Sequence, residues 1–226
     1  LVFPENETEY PLLKSKTNKL LNESKLKVWY AKNPAINHHK LKAYPLGPKW
    51  QWKTTRFFGE NKNEHLNLFH KYGLNPEENM HDKLLKQHLL YFNFNQTTKN
   101  SLYQPYTNIR QKVKSDLLNN GFKMNINESF EEYIKTLSTY KFCVAPPGRG
   151  IDTHRCWEAL MVGTIPIVKS SSLNELYEQL PVVIVDSYDI ITEKFLNTKH
   201  HDIFKTQYNF EKLYSEFWIQ KMFRKQ

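Results

Sequence analysis

Apolar residues recur along this chain in two rhythms. The runs Phe142-Cys143-Val144-Ala145 and Ile165-Pro166-Ile167-Val168 are short, unbroken and bounded by Pro and Gly, the pattern of strands buried on both faces of a parallel sheet. Between them the rhythm changes. Phasing Thr153 to Val162 at about 100° per residue puts His154, Arg155 and Glu158 on one narrow arc and leaves Cys156, Trp157, Ala159, Leu160 and Met161 for the rest. This predicts a mostly buried helix with one polar stripe, opened by Asp152 or Thr153 as cap and stopped by Gly163.

The same alternation extends over the second half of the chain. "LLYFNFN" from Leu89 reads as a strand and "YTNIRQKVKSDLLNNG" as a helix with Ile109, Val113, Leu117 and Leu118 on one face. "SFEEYIKTLSTY" follows as a second helix, "SLNELYEQL" as a short one, "PVVIVD" as a strand and "ITEKFL" as the start of another helix. Strands separated by helices at this spacing imply βαβ units and a parallel sheet. Ligands of such sheets lie beyond the carboxyl ends of the strands, so "NFNQTT", "PPGRG" and "KSSS" are expected on one rim. Upstream, "KLKVWYAKNP" and "HHKLKAYPLGPKW" read as strand-like runs at the edge of an α/β layer, and "NEHLNLFHKYG" as a connecting helix with Leu66, Phe69 and Tyr72 inward. "FEKLYSEFWIQKMF" reads as one amphipathic helix that docks on the rest.

The turn "PPGRGIDT" leads into the helix that carries the polar stripe. Glycines there let a ligand approach the backbone, and a helix start presents free N–H groups, so an anion is the expected guest. Arg149 and Arg155 supply forked donors suited to phosphate oxygens, and Glu158 could accept from sugar hydroxyls. The competing reading is a solvated helix face, with Arg155 and Glu158 as a surface pair. Asp152 argues against a phosphate directly at the helix start.

Composition narrows the classes without choosing one. The 226 residues carry a net charge of +9 and a sequence pI of about 9.3, which suits anionic partners of several kinds. The basic residues are scattered from Lys14 to Lys225, and zinc-finger, basic-zipper and RNA-recognition patterns are absent, so nucleic acid is not an expected partner. Apolar runs are strand-sized, so no membrane segment is expected in this chain. Cys143 and Cys156 read as buried free thiols. Sequons at Asn6, Asn22, Asn95 and Asn127 matter only in a secretory lumen, and the compartment stays open.

Several chemistries find no support in the residues. "GRGIDT" lacks the third glycine of a dinucleotide fingerprint, and the phosphate-loop lysine, the Gly-x-Ser-x-Gly elbow and a His-Glu helical zinc motif are missing. No Asp-x-Asp pair is present, so a metal-bridged diphosphate site has no obvious ligands, and no metal is expected.

With these residues in view, the segment from about Leu89 to Leu196 resembles the exostosin-like glycosyltransferases of the family 47 type. The resemblance rests on "KFCVAPPGRGIDTHRCWEALMVGTIPIV" and "LPVVIV", with weaker support from "NFNQTT" and "HHKLKAYPLGPKW". It implies an α/β, GT-B-like architecture with a C-terminal Rossmann-like parallel sheet and a reduced or truncated N-terminal α/β domain. The implied divisions are 1–80 for the acceptor side, 81–196 for nucleotide-sugar binding, and 197–226 for a helix packing back on the N-terminal domain. The implied activity is inverting transfer from a UDP-sugar, with UDP-xylose preferred, onto a glycan acceptor, without a cofactor. Carried over, Arg155 stabilises the leaving diphosphate, Glu158 meets the ribose, and the Gly148, Arg149 and Gly150 turn meets the phosphates. His154, Asn95, Thr97 and Ser171 complete the implied donor site. The catalytic base stays open among Glu5, Glu7, Glu9 and His154. A module that binds a nucleotide sugar or a glycan without transferring it is the alternative.

Overall fold

A computed structural model describes residues 18–34, 36–48, 62–73, 86–95, 108–126, 129–148 and 150–223. The chain is mixed α/β with parallel sheets. Strands β1 (Trp29–Ala31) and β2 (Leu41–Ala43) pair with each other. Helix α1 (Lys62–Tyr72) precedes β3 (His88–Tyr91). Then come α2 (Ile109–Asn119), α3 (Phe130–Leu137) and β4 (Tyr140–Val144). Helix α4 (His154–Met161) and β5 (Ile165–Lys169) follow. Strand β6 (Val183–Val185), α5 (Glu193–Phe204) and α6 (Ser215–Phe223) complete the order.

Strands β3, β4, β5 and β6 form one parallel sheet in that order. Its pleat sorts side chains between two cores. Phe142, Val144, Ile165 and Ile167 face one way, under Val113 and Leu117 of α2 and Leu196 and Ile203 of α5. Cys143 and Tyr91 face the other way, with Ile134 and Leu137 of α3 and Ala159 of α4. Helices therefore cover both faces, and α5 extends the covering layer past residue 196 to Ile203. Because β3 is followed by α2 on one face and β4 by α4 on the other, the neighbouring chain paths part at the carboxyl ends of these strands. The carboxyl ends of the strands are where open α/β sheets receive ligands.

Local chemistry explains some of the boundaries. Ser129 and Glu132 form a reciprocal capping box at α3. Gly163, at φ 68°, ends α4 in the left-handed region that glycine adopts without penalty. Lys86 donates to the carbonyl oxygens of Ser138 (2.5 Å) and Val162 (2.6 Å), the C-caps of α3 and α4. One ammonium thus complements the negative ends of two helices. Lys86→Met should lower stability by about 1.5–3 kcal/mol, the scale of charged hydrogen bonds, read as a lower urea midpoint with an unchanged m-value.

The structure departs from the periodicity at several points. Leu118, expected on the apolar face of α2, is 45% exposed, because it sits one residue, and so a large rotation, beyond buried Leu117. "SLNELYEQL" holds only a 3₁₀ turn, Asn174–Tyr177, since Gln179 takes φ 64° and Pro181 follows. The last segment is two pieces rather than one helix: a 3₁₀ turn at Phe210–Leu213, then α6, with the chain extended at Tyr214 between them. The N-terminal runs form a separate two-stranded sheet instead of an edge of the main one. Tyr44 packs edge-on against Trp218 of α6, ring centroids 5.5 Å apart, and Tyr30 Oη donates to the Lys221 carbonyl at 3.4 Å.

Candidate functional site

The loops after β3, β4 and β5 share the rim at the strand ends, as the parallel order requires. Asn95 follows β3, Gly148 and Gly150 follow β4, and Ser171 follows β5. Arg149 and Thr97 lie outside the described residues, as do Glu5, Glu7 and Glu9. Ser171 Oγ accepts from the Leu173 amide at 3.1 Å and so closes the turn that leads to the 3₁₀ segment.

The polar stripe of α4 points inward. Glu158 is 4% exposed and accepts from Tyr133 Oη of α3 at 2.8 Å. Arg155 lies over the Tyr133 ring, 5.8 Å from its centroid. Its Nε is buried without a hydrogen-bond partner, and so is Thr153 Oγ1 at the N-cap of the same helix. Burial works against the Arg155 charge, but Tyr133, Cys143, Glu158 and Tyr91 outweigh it and hold the guanidinium above its ordinary pKa. Cys143 is pushed up to about 12, chiefly by burial, so its thiol is inert. A solvated face would show none of this, and that reading of the stripe is set aside.

Arg110, in the first turn of α2, comes to the same rim from the opposite face. Its Nε donates to the Pro147 carbonyl at 2.9 Å and an Nη to the Asn95 carbonyl at 3.3 Å. Its guanidinium lies 6.0 Å from the Phe94 ring centroid. Burial first, and the charge of Arg155 second, lower its pKa to about 10. Among the described residues neither arginine has a carboxylate within salt-bridge distance. The sequence held one signal for Arg110: the first turn of α2 carries no acidic residue, although a helix start favours acids and disfavours a cation.

Of the two expected caps, Thr153 takes the N-cap position and Asp152 does different work. It is 2% exposed and accepts from the Leu46 amide (2.8 Å), the Thr153 amide (2.9 Å), Trp157 Nε1 (2.8 Å) and Tyr177 Oη (3.2 Å). Thr153 is the N-cap, and its side chain makes no capping bond. Burial raises the Asp152 pKa, against the pull of these donors.

Further bonds bind residues 33–47 to the rim. The Asp152 amide donates to Asn33 Oδ1, and Ser172 Oγ donates to the Pro34 carbonyl. His154 Nδ1 lies 2.8 Å from the Gly47 carbonyl. A carbonyl only accepts, so Nδ1 carries the proton and Nε2 is left as the basic nitrogen.

Among the described residues no group of three His, Cys, Asp or Glu side chains is placed to hold a metal ion, and no helix is long and apolar enough to cross a membrane. No protein-family model matches the chain, and no match was found among curated proteins.

Proposed function

We propose that the chain is an inverting glycosyltransferase of the GT-B, exostosin-like kind, moving a sugar from a UDP-sugar to a glycan hydroxyl. The observation that carries this reading is the pair of guanidinium groups at the parted strand ends, with Arg155 Nε buried and unpartnered. Two cations at the strand ends, neither in a salt bridge with a carboxylate of the described residues, suit a dianionic group, and a diphosphate is a dianion commonly received beyond the strand ends of a parallel sheet.

The chemistry follows from charge. The bond between the anomeric carbon and the diphosphate oxygen breaks as the acceptor oxygen bonds to the opposite face of that carbon. Negative charge then grows on the leaving diphosphate, where preorganised arginines stabilise it most. The acceptor hydroxyl must lose its proton. His154, with Nε2 as the basic nitrogen, is the candidate base among the described residues.

A second reading has an observation of its own. Asp152 and Glu158, the carboxylates at the site, are both committed to internal hydrogen bonds, which suits a module that binds a nucleotide sugar and does not transfer it. The test is a panel of UDP-sugars, UDP-xylose first, offered with acceptor glycans in a chelator and read by UDP release. Transfer is expected to survive the chelator. UDP binding without release would favour the binding module, and indifference to every UDP-sugar would remove both readings.

A further inference from the structure

We infer that Arg110 is a second anion-binding residue at the strand ends, paired with Arg155, and that Gly148 is glycine because the Arg110 guanidinium occupies the space of its side chain. The identity of the anion as a diphosphate rests on the function proposed above; the placement of Arg110 between the loops after β3 and β4 and against Gly148 rests on geometry.

A Cβ built on Gly148 would lie 2.5 Å from Arg110 Nη2 and 3.3 Å from Cζ. Gly148 is not in the left-handed region, which among the described glycines is taken by Gly47, Gly121 and Gly163, so backbone freedom does not explain it. The close approach does. Arg110 Nε and one Nη are spent on the Pro147 and Asn95 carbonyls, which tie the loops after β3 and β4 together. Its Nη2 donates to none of the described residues. The fork is thus fixed on one side by the two loops and uncommitted on the other. Arg155 approaches from the other face of the sheet, with its Nε buried and unpartnered. Like charges repel, and an anion that lies between two of them turns that repulsion into attraction.

The position of Gly148 allows the charge and its placement to be tested apart. Arg110→Gln removes the cation. Gly148→Ala keeps it and forces the fork to move, since a Cβ at 2.5 Å cannot be accommodated otherwise. Affinities for UDP, uridine and inorganic pyrophosphate are measured by calorimetry on the full chain and both variants. UDP and pyrophosphate should weaken by about tenfold to a hundredfold in each variant, the value of a charged hydrogen bond, with uridine affinity unchanged.

Folded Gly148→Ala protein that binds UDP and pyrophosphate as the parent does would overturn the inference, whatever Arg110→Gln does to stability. If the parent binds pyrophosphate but not UDP, and both variants weaken it, the inference stands and the nucleotide-sugar reading falls. If the parent binds none of the three, both fall.

Discussion

Arg155→Ala should lower turnover of the UDP-sugar by roughly a hundredfold or more, the loss seen when one preorganised donor to developing charge is removed. Affinity for UDP should fall with it. The arginine is the group on which the proposed chemistry leans most, because its Nε is buried with nothing to satisfy it and the leaving group is where charge grows. A secondary effect is expected on the fold. Glu158 is buried beside Arg155, and the variant leaves that carboxylate without its neighbouring cation, so the melting temperature should drop as well. Steady-state kinetics run well below that temperature separate the two effects. Turnover within a few-fold of the parent, in protein that is shown to be folded, would contradict the assignment.

The largest effect on stability is expected at Asp152. Replacement by Ala strands the Leu46 and Thr153 amides, the Trp157 indole N–H and the Tyr177 hydroxyl in the interior. Breaking a buried charged network of this kind costs about 3–5 kcal/mol, a large part of the stability of an ordinary domain. Urea unfolding followed by tryptophan fluorescence reads it directly, since Trp157 reports on the site itself. The acid dependence carries a sign of its own. Burial raises the folded pKa of Asp152 above its ordinary 3.8, so the folded state holds this proton more tightly than the unfolded chain does. This group's contribution is therefore fully present below the unfolded value and declines as pH rises through the folded one, opposite to a salt-bridged carboxylate. Asp152→Ala should abolish that component of the pH profile. A loss below about 1 kcal/mol would show that water replaces the carboxylate with little penalty.

What could be read from the sequence follows from the range of the interactions involved. Strands β4 and β5 and helix α4 are written in local terms: apolar runs closed by Pro and Gly, a 3.6-residue rhythm, a glycine stop. The parallel pairing of β4 with β5 follows from that unit. The fate of Glu158 is not local, because it depends on Tyr133, 25 positions earlier. Asp152 looked like a cap because the residues beside it allow one, while its partner Leu46 lies 106 positions away. Arg110 carried only a weak local signal, a helix start without an acid, since the feature that marks it is the Gly148 backbone against which it packs. Tyr214 divides the last segment by its extended backbone, which the apolar rhythm around it does not encode.

The bonds from residues 33–47 to the rim also set an order of assembly. They join parts of the chain separated by 106, 107, 119 and 138 positions, whereas the β4, α4 and β5 unit is nearly contiguous. Closing such long loops carries an entropy penalty that short ones escape. The sheet and its covering helices are therefore expected to form first, with residues 33–47 seating on the rim afterwards. A partial opening is then expected to begin with this segment, in which Asp152 would lose Leu46 and His154 would lose Gly47 while the hydrogen-bonded strands beneath persist.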